Sequence, residues 1–456
     1  MIFKELVPTR ISSAKFAVVQ RFARDNTADV AMIFGLMLPA MILATGIAVD
    51  YTAAARKKVV LDAAADAAAL SGVTPALLKQ SDAAAVTTAT NMFNGQASGI
   101  PGLEYNPETL AVSSSTNVGT GLRTVTVTYN ASSENTFAQI LGKPTWAIGG
   151  SATATARPAP NIDFYLLLDN SPSMAIAATT AGINTMVAHT SAQGGCAFAC
   201  HQTNPAADNL GNPGGIDNYQ LAKNLGVVTR IDNLRSAAGS LMDLAVQTEN
   251  NNNATYRMGI YTFNYNGATQ ISALTDPTTA KPLTANIDVM VMYKNNWRNS
   301  STNDSDTETN FELAMSQINN QMPAPGTGYT GSTSQEVLLL VSDGLSDRVN
   351  TGNPGLAKTP VGTYSGSRFM GLFDTSWCDT VKSRGIRIAV LYTEYLPLPT
   401  NNWYNTYVSP NQSKIAANLQ GCASSGLFTQ ITTDGDISQA INGLFAQAVQ
   451  TATLLK

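Results

Sequence analysis

The sequence predicts an α/β protein built in series. A long apolar N-terminal helix leads through a small α/β module into a C-terminal domain with a doubly wound parallel sheet. Three observations predict this. Residues 30–49 contain no charge. Downstream of residue 162, short apolar runs alternate with longer helical stretches. Three motifs rich in Asp, Ser and Thr fall at the ends of those runs or at the starts of those stretches.

At 456 residues the chain is too long for one ordinary domain and suits two or three. Hydrophobic residues make up 44%, enough for a substantial core, and charged residues only 13%. Typical soluble domains carry roughly a quarter. Asn, Thr, Ser, Gly and Ala replace the missing charge, a composition that suits a secreted or periplasmic domain. The net charge of -4 and the lack of a basic patch leave no electrostatic footprint for nucleic acid.

Residues 1–29 carry Lys4, Arg10, Lys15, Arg21 and Arg24 and read as a cytoplasmic N-terminal segment. Residues 30–49 have about the length that crosses a bilayer as a helix. Asp29 and Asp50 bracket them, and Pro39 sits where it would kink the helix, which membrane spans tolerate. A cleaved signal peptide would have a shorter apolar stretch and a small-residue cleavage site. Arg56, Lys57 and Lys58 follow the span, so the charge bias for a cytoplasmic N-terminus is mild. Alanine-rich residues 53–72 favour helix, so the span should continue as a stalk through residue 72.

Residues 73–159 read as a small connecting module, with a helix near 83–93. Residues 123–130 (RTVTVTYN) and 145–156 (TWAIGGSATATA) alternate as strands do. It has no His or Cys and few acids, so it reads as a spacer. RPAPN at 157–161 is an extended linker.

Residues 160–456 form the main domain. Residues 162–168, 256–263, 336–341 and 387–392 are strands covered on both faces. Residues 221–247, 311–322, 374–384 and 437–455 are helices between and after them. Such alternation predicts a parallel, Rossmann-like sheet, with ligands beyond the carboxyl ends of its strands. Two insertions stand out, near 174–215 and 344–371; both belong near that ligand face.

The first strand ends in LLLDNSPSM, where Asp169, Ser171 and Ser173 spell D-x-S-x-S. A carboxylate and two hydroxyls at alternating positions of a strand-end loop can converge on one hard cation, and oxygen ligands suit Mg²⁺ or Mn²⁺, with Ca²⁺ a further candidate. TETNFELAM places Thr309 just before a helix, and VLLLVSDGLSD places Asp343 at the end of a buried strand. Taken singly, each motif is equally an N-capping turn; three in this order are a site.

Two resemblances follow. The run DNTADVAMIFGLMLPAMILATGIAVDYTAAARKKVVLDAAADAAALSG resembles the N-terminus of TadE/TadG-like proteins of the Tad (Flp) pilus assembly system: basic leader, apolar span ending in AVDY, then an AADAAAL helix. It implies a single-pass bacterial inner-membrane protein with its C-terminal domain in the periplasm. The three motifs resemble the metal-ion-dependent adhesion site (MIDAS) of von Willebrand factor A domains over residues 160–456. Matched motif to motif, Asp169, Ser171, Ser173, Thr309 and Asp343 fall on its five ligand positions. That resemblance implies a cation with an open position, filled by an acidic residue of a protein partner such as a pilin or another assembly component. TadG-like proteins combine both halves.

The four cysteines are Cys196, Cys200, Cys378 and Cys422. GGCAFACHQ brings Cys196, Cys200 and His201 close, with His189 nearby. A local disulfide, a zinc site of two Cys and two His, and covalent haem attachment all compete there. A Cys196–Cys200 disulfide would leave Cys378 to pair with Cys422 across the sheet's edge, a pairing of the kind the family has.

No catalytic constellation is evident. Both histidines lie in the insertion, and no phosphate-binding G-x-x-x-x-G-K-[ST] loop occurs. The expectation is a binding and assembly protein. The alternatives are a surface adhesin, or a metal-dependent hydrolase, for which Asp306 or Glu308 would have to act as a site acid.

Overall fold

The structure, a computed structural model, describes residues 27–197, 212–290, 308–329, 332–349, 362–365, 368–432 and 435–454. Its contacts divide it into two compact units, one ending at Ala156 and the other beginning at Arg157 and including residues 117–122.

The first unit begins with α1 (Thr27–Ser71), an unbroken 45-residue helix that runs through Pro39. The sequence leads one to expect a kink there, but the helix continues through it. The apolar half is exposed, Val30, Leu36 and Met41 included, and is long and apolar enough to cross a membrane. The second half is a packing helix. Leu61, Ala64, Ala65 and Ala68 recur at the spacing of one helical face and are buried. They meet Ala85, Ala89 and Phe93 of α2 (Asp82–Ala97) and Val125, Val127 and Tyr129 of a small antiparallel sheet. Alanine suits this seam because its small side chain lets helix and sheet approach. The sheet comprises β1 (Leu103–Glu104), β2 (Ala111–Thr116), β3 (Arg123–Glu134) and β4 (Thr145–Ala156), with β3 paired to the other three.

The second unit is a six-stranded sheet of β5 (Ile162–Asp169), β6 (Tyr256–Asn264), β7 (Gly267–Thr275), β8 (Gln335–Ser342), β12 (Arg387–Thr393) and β13 (Phe428–Ile431), in the order β13-β12-β8-β5-β6-β7. All neighbours are parallel except β7, which runs antiparallel at the edge. On one face lie α6 (Phe311–Gln321), α7 (Ser376–Ser383) and α8 (Ser409–Cys422); α5 (Arg230–Asn252) and α9 (Ile437–Leu454) cover the other. Every residue of β5 is buried, as a strand between two helical layers requires. The chain lays β5, β6 and β7 outward, then returns to place β8 on the other side of β5. The strand order therefore reverses between β5 and β8, where this architecture opens a crevice.

Three details differ from the sequence reading. The helix expected over 221–247 is broken into α4 (Asn218–Asn224) and α5, because Gly226 turns the chain at φ +68° and Thr229 opens a new helix. The loop expected over 344–371 contains strands: β9 (Leu345–Val349), β10 (Gly362–Ser365) and β11 (Arg368–Leu372) form an antiparallel sheet. The insertion near 174–215 contains α3 (Thr180–His189). Cys378 on α7 and Cys422 at the end of α8 are disulfide-bonded with Cα atoms 5.1 Å apart. The bond joins two helices on one face of the sheet rather than crossing its edge. Cys200 and His201 lie outside the described residues, and so does the choice among the readings of that cysteine pair.

Candidate metal centre

β5 and β8 deliver their last residues side by side, with Leu168 opposite Val341. Asp169 ends β5 and is fully buried. Its two carboxylate oxygens each accept one hydrogen bond, from the Ser171 N–H at 3.0 Å and from the Ser342 hydroxyl at 2.7 Å. The chain then enters a tight turn over Pro172–Ala175 that brings the Ser171 and Ser173 hydroxyls to 3.0 Å of each other. Asp343 follows β8 and is 1% exposed. Next comes Gly344 at φ +82°, where a Cβ would lie 2.4 Å from Ile415 on α8, so only glycine fits.

Thr309 reaches the same carboxyl-end loops by a different route. Its N–H donates to the Asp347 carbonyl at 2.9 Å, and the Asp347 N–H donates back at 2.9 Å, tying the start of α6 to β9 just beyond Asp343. Asn310 caps α6, and its N–H donates to the Asn264 carbonyl at 3.2 Å. The Asn264 side chain in turn donates to Asn170, beside Asp169, at 3.1 Å. Glu312 locks this loop from beneath: fully buried, it pairs with Arg348 at 3.0 Å and accepts hydrogen bonds from Ser346 and the Asp374 N–H. Glu308 bonds the Asp347 carbonyl through its own N–H; Asp306 lies outside the described residues.

Electrostatically Asp169 is the strained member of the centre. Burial, and then the neighbouring Asp343 charge, push the Asp169 carboxyl up to about 7. Two buried carboxylates beside hydroxyls form a hard, oxygen-only donor set, which fits a divalent cation such as Mg²⁺. Among the described residues no group of three or more His, Cys, Asp or Glu gathers to hold a metal, so any cation here would rest mainly on neutral oxygens.

One participant was not legible in the motifs. Arg230, the first residue of α5, is 1% exposed and reaches Asp343 at 3.2 Å. Its other terminal nitrogen donates to the Thr393 carbonyl at 2.8 Å and hydroxyl at 2.6 Å, and its guanidinium lies 5.2 Å from the Tyr395 ring centre. The signal was the capping box Thr229–Asp232, which fixes the start of α5 and hence the place of Arg230.

Comparison with known proteins adds the following. The family described as Putative Flp pilus-assembly TadE/G-like matches residues 30–87. No curated protein matches the chain. Among solved structures, the pilus adhesin SpaC from Lactobacillus rhamnosus GG is similar over 75% of this chain and 34% of its own, at 11% identity and a TM-score of 0.35. The chain thus spans about a third of that adhesin. The vWF domain of the type V pili tip protein Mfa5 from Porphyromonas gingivalis is similar over 65% of this chain and 98% of its own, at 10% identity and a TM-score of 0.33. Proximal thread matrix protein 1 from the mussel byssus, solved with a zinc-occupied MIDAS motif, is similar over 64% of this chain and 46% of its own, at 14% identity and a TM-score of 0.30. Likenesses this distant carry no functional argument.

Proposed function

We propose that this chain is a single-pass inner-membrane component of Tad/Flp pilus assembly whose periplasmic domain captures a protein partner through a divalent cation. The observation that supports the reading is that buried Asp169 ends β5 and buried Asp343 follows β8 at the strand-order reversal, with the Ser171 and Ser173 hydroxyls 3.0 Å apart in the turn after Asp169. The family match at residues 30–87 supports the pilus context.

Asp169 and Asp343 supply the anionic charge, while Ser171, Ser173 and Thr309 add neutral oxygens. Held by so few charges, a bound Mg²⁺ would stay electron-poor and draw a carboxylate from the partner. Ser342 and the Ser171 N–H fix the Asp169 carboxylate in place, so the centre is organised before a partner arrives. We assign the domain a binding role, in keeping with the pilus-assembly family matched at residues 30–87.

The test is complementation of a deletion strain with Asp169→Ala. The expected protein is folded and membrane-inserted but fails to support piliation, with a melting curve confirming the fold. Normal pilus counts would leave the domain a passive scaffold and overturn the reading.

A further inference from the structure

The β3–β4 connection of the first unit reaches α1 at the end of its apolar half. Asp50, just past the uncharged stretch and 2% exposed, accepts the N–H groups of Thr136, Phe137 and Ala138 at 2.9, 2.8 and 2.7 Å. Phe137 sits on Gly46: a Cβ built there would lie 2.6 Å from its side chain. Gly46 is one helical turn, roughly 6 Å, nearer the centre of the apolar stretch than Asp50. The connection therefore runs down beside the apolar stretch instead of staying above it.

The loop is stiff. The Asn135 N–H donates to the Pro144 carbonyl at 2.8 Å, its side chain to the Lys143 carbonyl at 3.0 Å, and the Lys143 N–H to the Ala138 carbonyl at 3.1 Å. Its tip is a short 3₁₀ turn, Ala138–Leu141, on which Ile140 is 70% and Leu141 56% exposed. Two large aliphatic side chains held rigidly outward, followed by exposed Lys143, form an interfacial pattern: an apolar tip for acyl chains and a cation for headgroups. Tyr51, 66% exposed beside Asp50, is the residue type that settles at the same depth.

We propose that this loop is a second membrane contact, with Ile140 and Leu141 inserted into the headgroup–acyl boundary of the leaflet where α1 emerges, so that the first unit is held against the bilayer by α1 and the loop together. The occupant is the lipid surface. The proposal rests on reading residues 30–49 as a bilayer span.

The experiment uses the full chain in nanodiscs of phosphatidylcholine with or without brominated acyl chains, and reads tryptophan emission added over the parent protein. Leu141→Trp is the probe. Met37→Trp reports the span, and Leu70→Trp, about 30 Å of helix beyond residue 49, reports solvent. The added emission at 141 should be largely lost in brominated lipid, and more so with bromines near the headgroup than deep in the chain, while that at 70 is unchanged. Quenching at 37 with none at 141 would overturn the loop contact and leave the span standing. No quenching at 37 would overturn both.

Discussion

At Arg230 a buried guanidinium meets Asp343 at 3.2 Å, so the candidate centre carries two carboxylates and one fixed cation before any metal binds. Breaking a buried ion pair costs about 3–5 kcal/mol, mostly through the charge left behind. Arg230→Gln should therefore lower the melting temperature in chelator. It should also enlarge the rise that Mg²⁺ gives, because the cation then takes over the neutralisation of Asp343. Calorimetry with Mg²⁺ and with chelator decides it; an Mg²⁺ shift equal to the parent's would remove Arg230 from the site. Glu336 makes a separate case, at the amino end of β8. It is 1% exposed, neither of its carboxylate oxygens has a hydrogen-bond partner, and it lies opposite Asp163, which Arg257 already binds at 2.8 Å. Burial first, and then Asp163, push its carboxyl up from the ordinary 4.5 to about 8. The folded state thus keeps a proton that the unfolded state releases. Ionisation of the group costs nothing below pH 4.5, and it lowers stability as pH rises from 4.5 to about 8, by at most about 1.4 kcal/mol per unit. Glu336→Gln should match the parent at the acid end of that window and melt higher at its alkaline end. Parallel melting curves would contradict this.

Among the elements, the buried strands were readable because burial on both faces leaves a continuous apolar run at their centres, residues 164–168 in β5 and 337–341 in β8. The antiparallel edge strand β7 was not read: GATQISALT carries polar residues along an exposed edge and gives no continuous run. β9 and β11 read as part of a Gly/Ser/Thr-rich loop because Ser346, Asp347 and Arg348 fill the middle of β9 and Arg368 opens β11, yet those polar side chains are buried and paired, Arg368 with Asp347 and Arg348 with Glu312. Pairing of this sort depends on partners distant in sequence, which no local pattern reveals. Asp169 and Asp343 stand out in the sequence because each follows an apolar run at the carboxyl end of a strand; Arg230 does not, because it sits inside what reads as one continuous helix. The disulfide between α7 and α8 closes a loop with a sequence separation of 44. By chain entropy alone such a cross-link is worth about 4 kcal/mol. Replacing both cysteines by alanine should lower the unfolding free energy by about 2–4 kcal/mol, read as a lower denaturation midpoint. An unchanged midpoint would mean that α7 and α8 are held by packing alone.

For the whole molecule, orientation in the membrane is the property on which the proposed function depends. Five cations precede the span and three follow it, which by count is a weak bias. The fold explains two of the three that follow. Lys57 donates to the Gly102 carbonyl and the Ser133 hydroxyl, and Lys58 pairs with Asp62, which also accepts the Tyr129 hydroxyl. Both lysines thus belong to the packing of the first unit, and under the proposed orientation their presence after the span reflects that packing rather than a signal for retention in the cytoplasm. The Cys378–Cys422 disulfide points the same way, since such bonds persist in oxidising compartments. A reporter enzyme active only in the periplasm, fused after Lys456, should accordingly be active. Changing Lys57 and Lys58 together to Gln should leave that activity in place, while lowering the stability of the first unit by roughly 1–3 kcal/mol through lost hydrogen bonds to charged groups. Activity of a cytoplasm-only reporter at the same position would reverse the orientation and place Asp169 and Asp343 out of reach of any periplasmic partner.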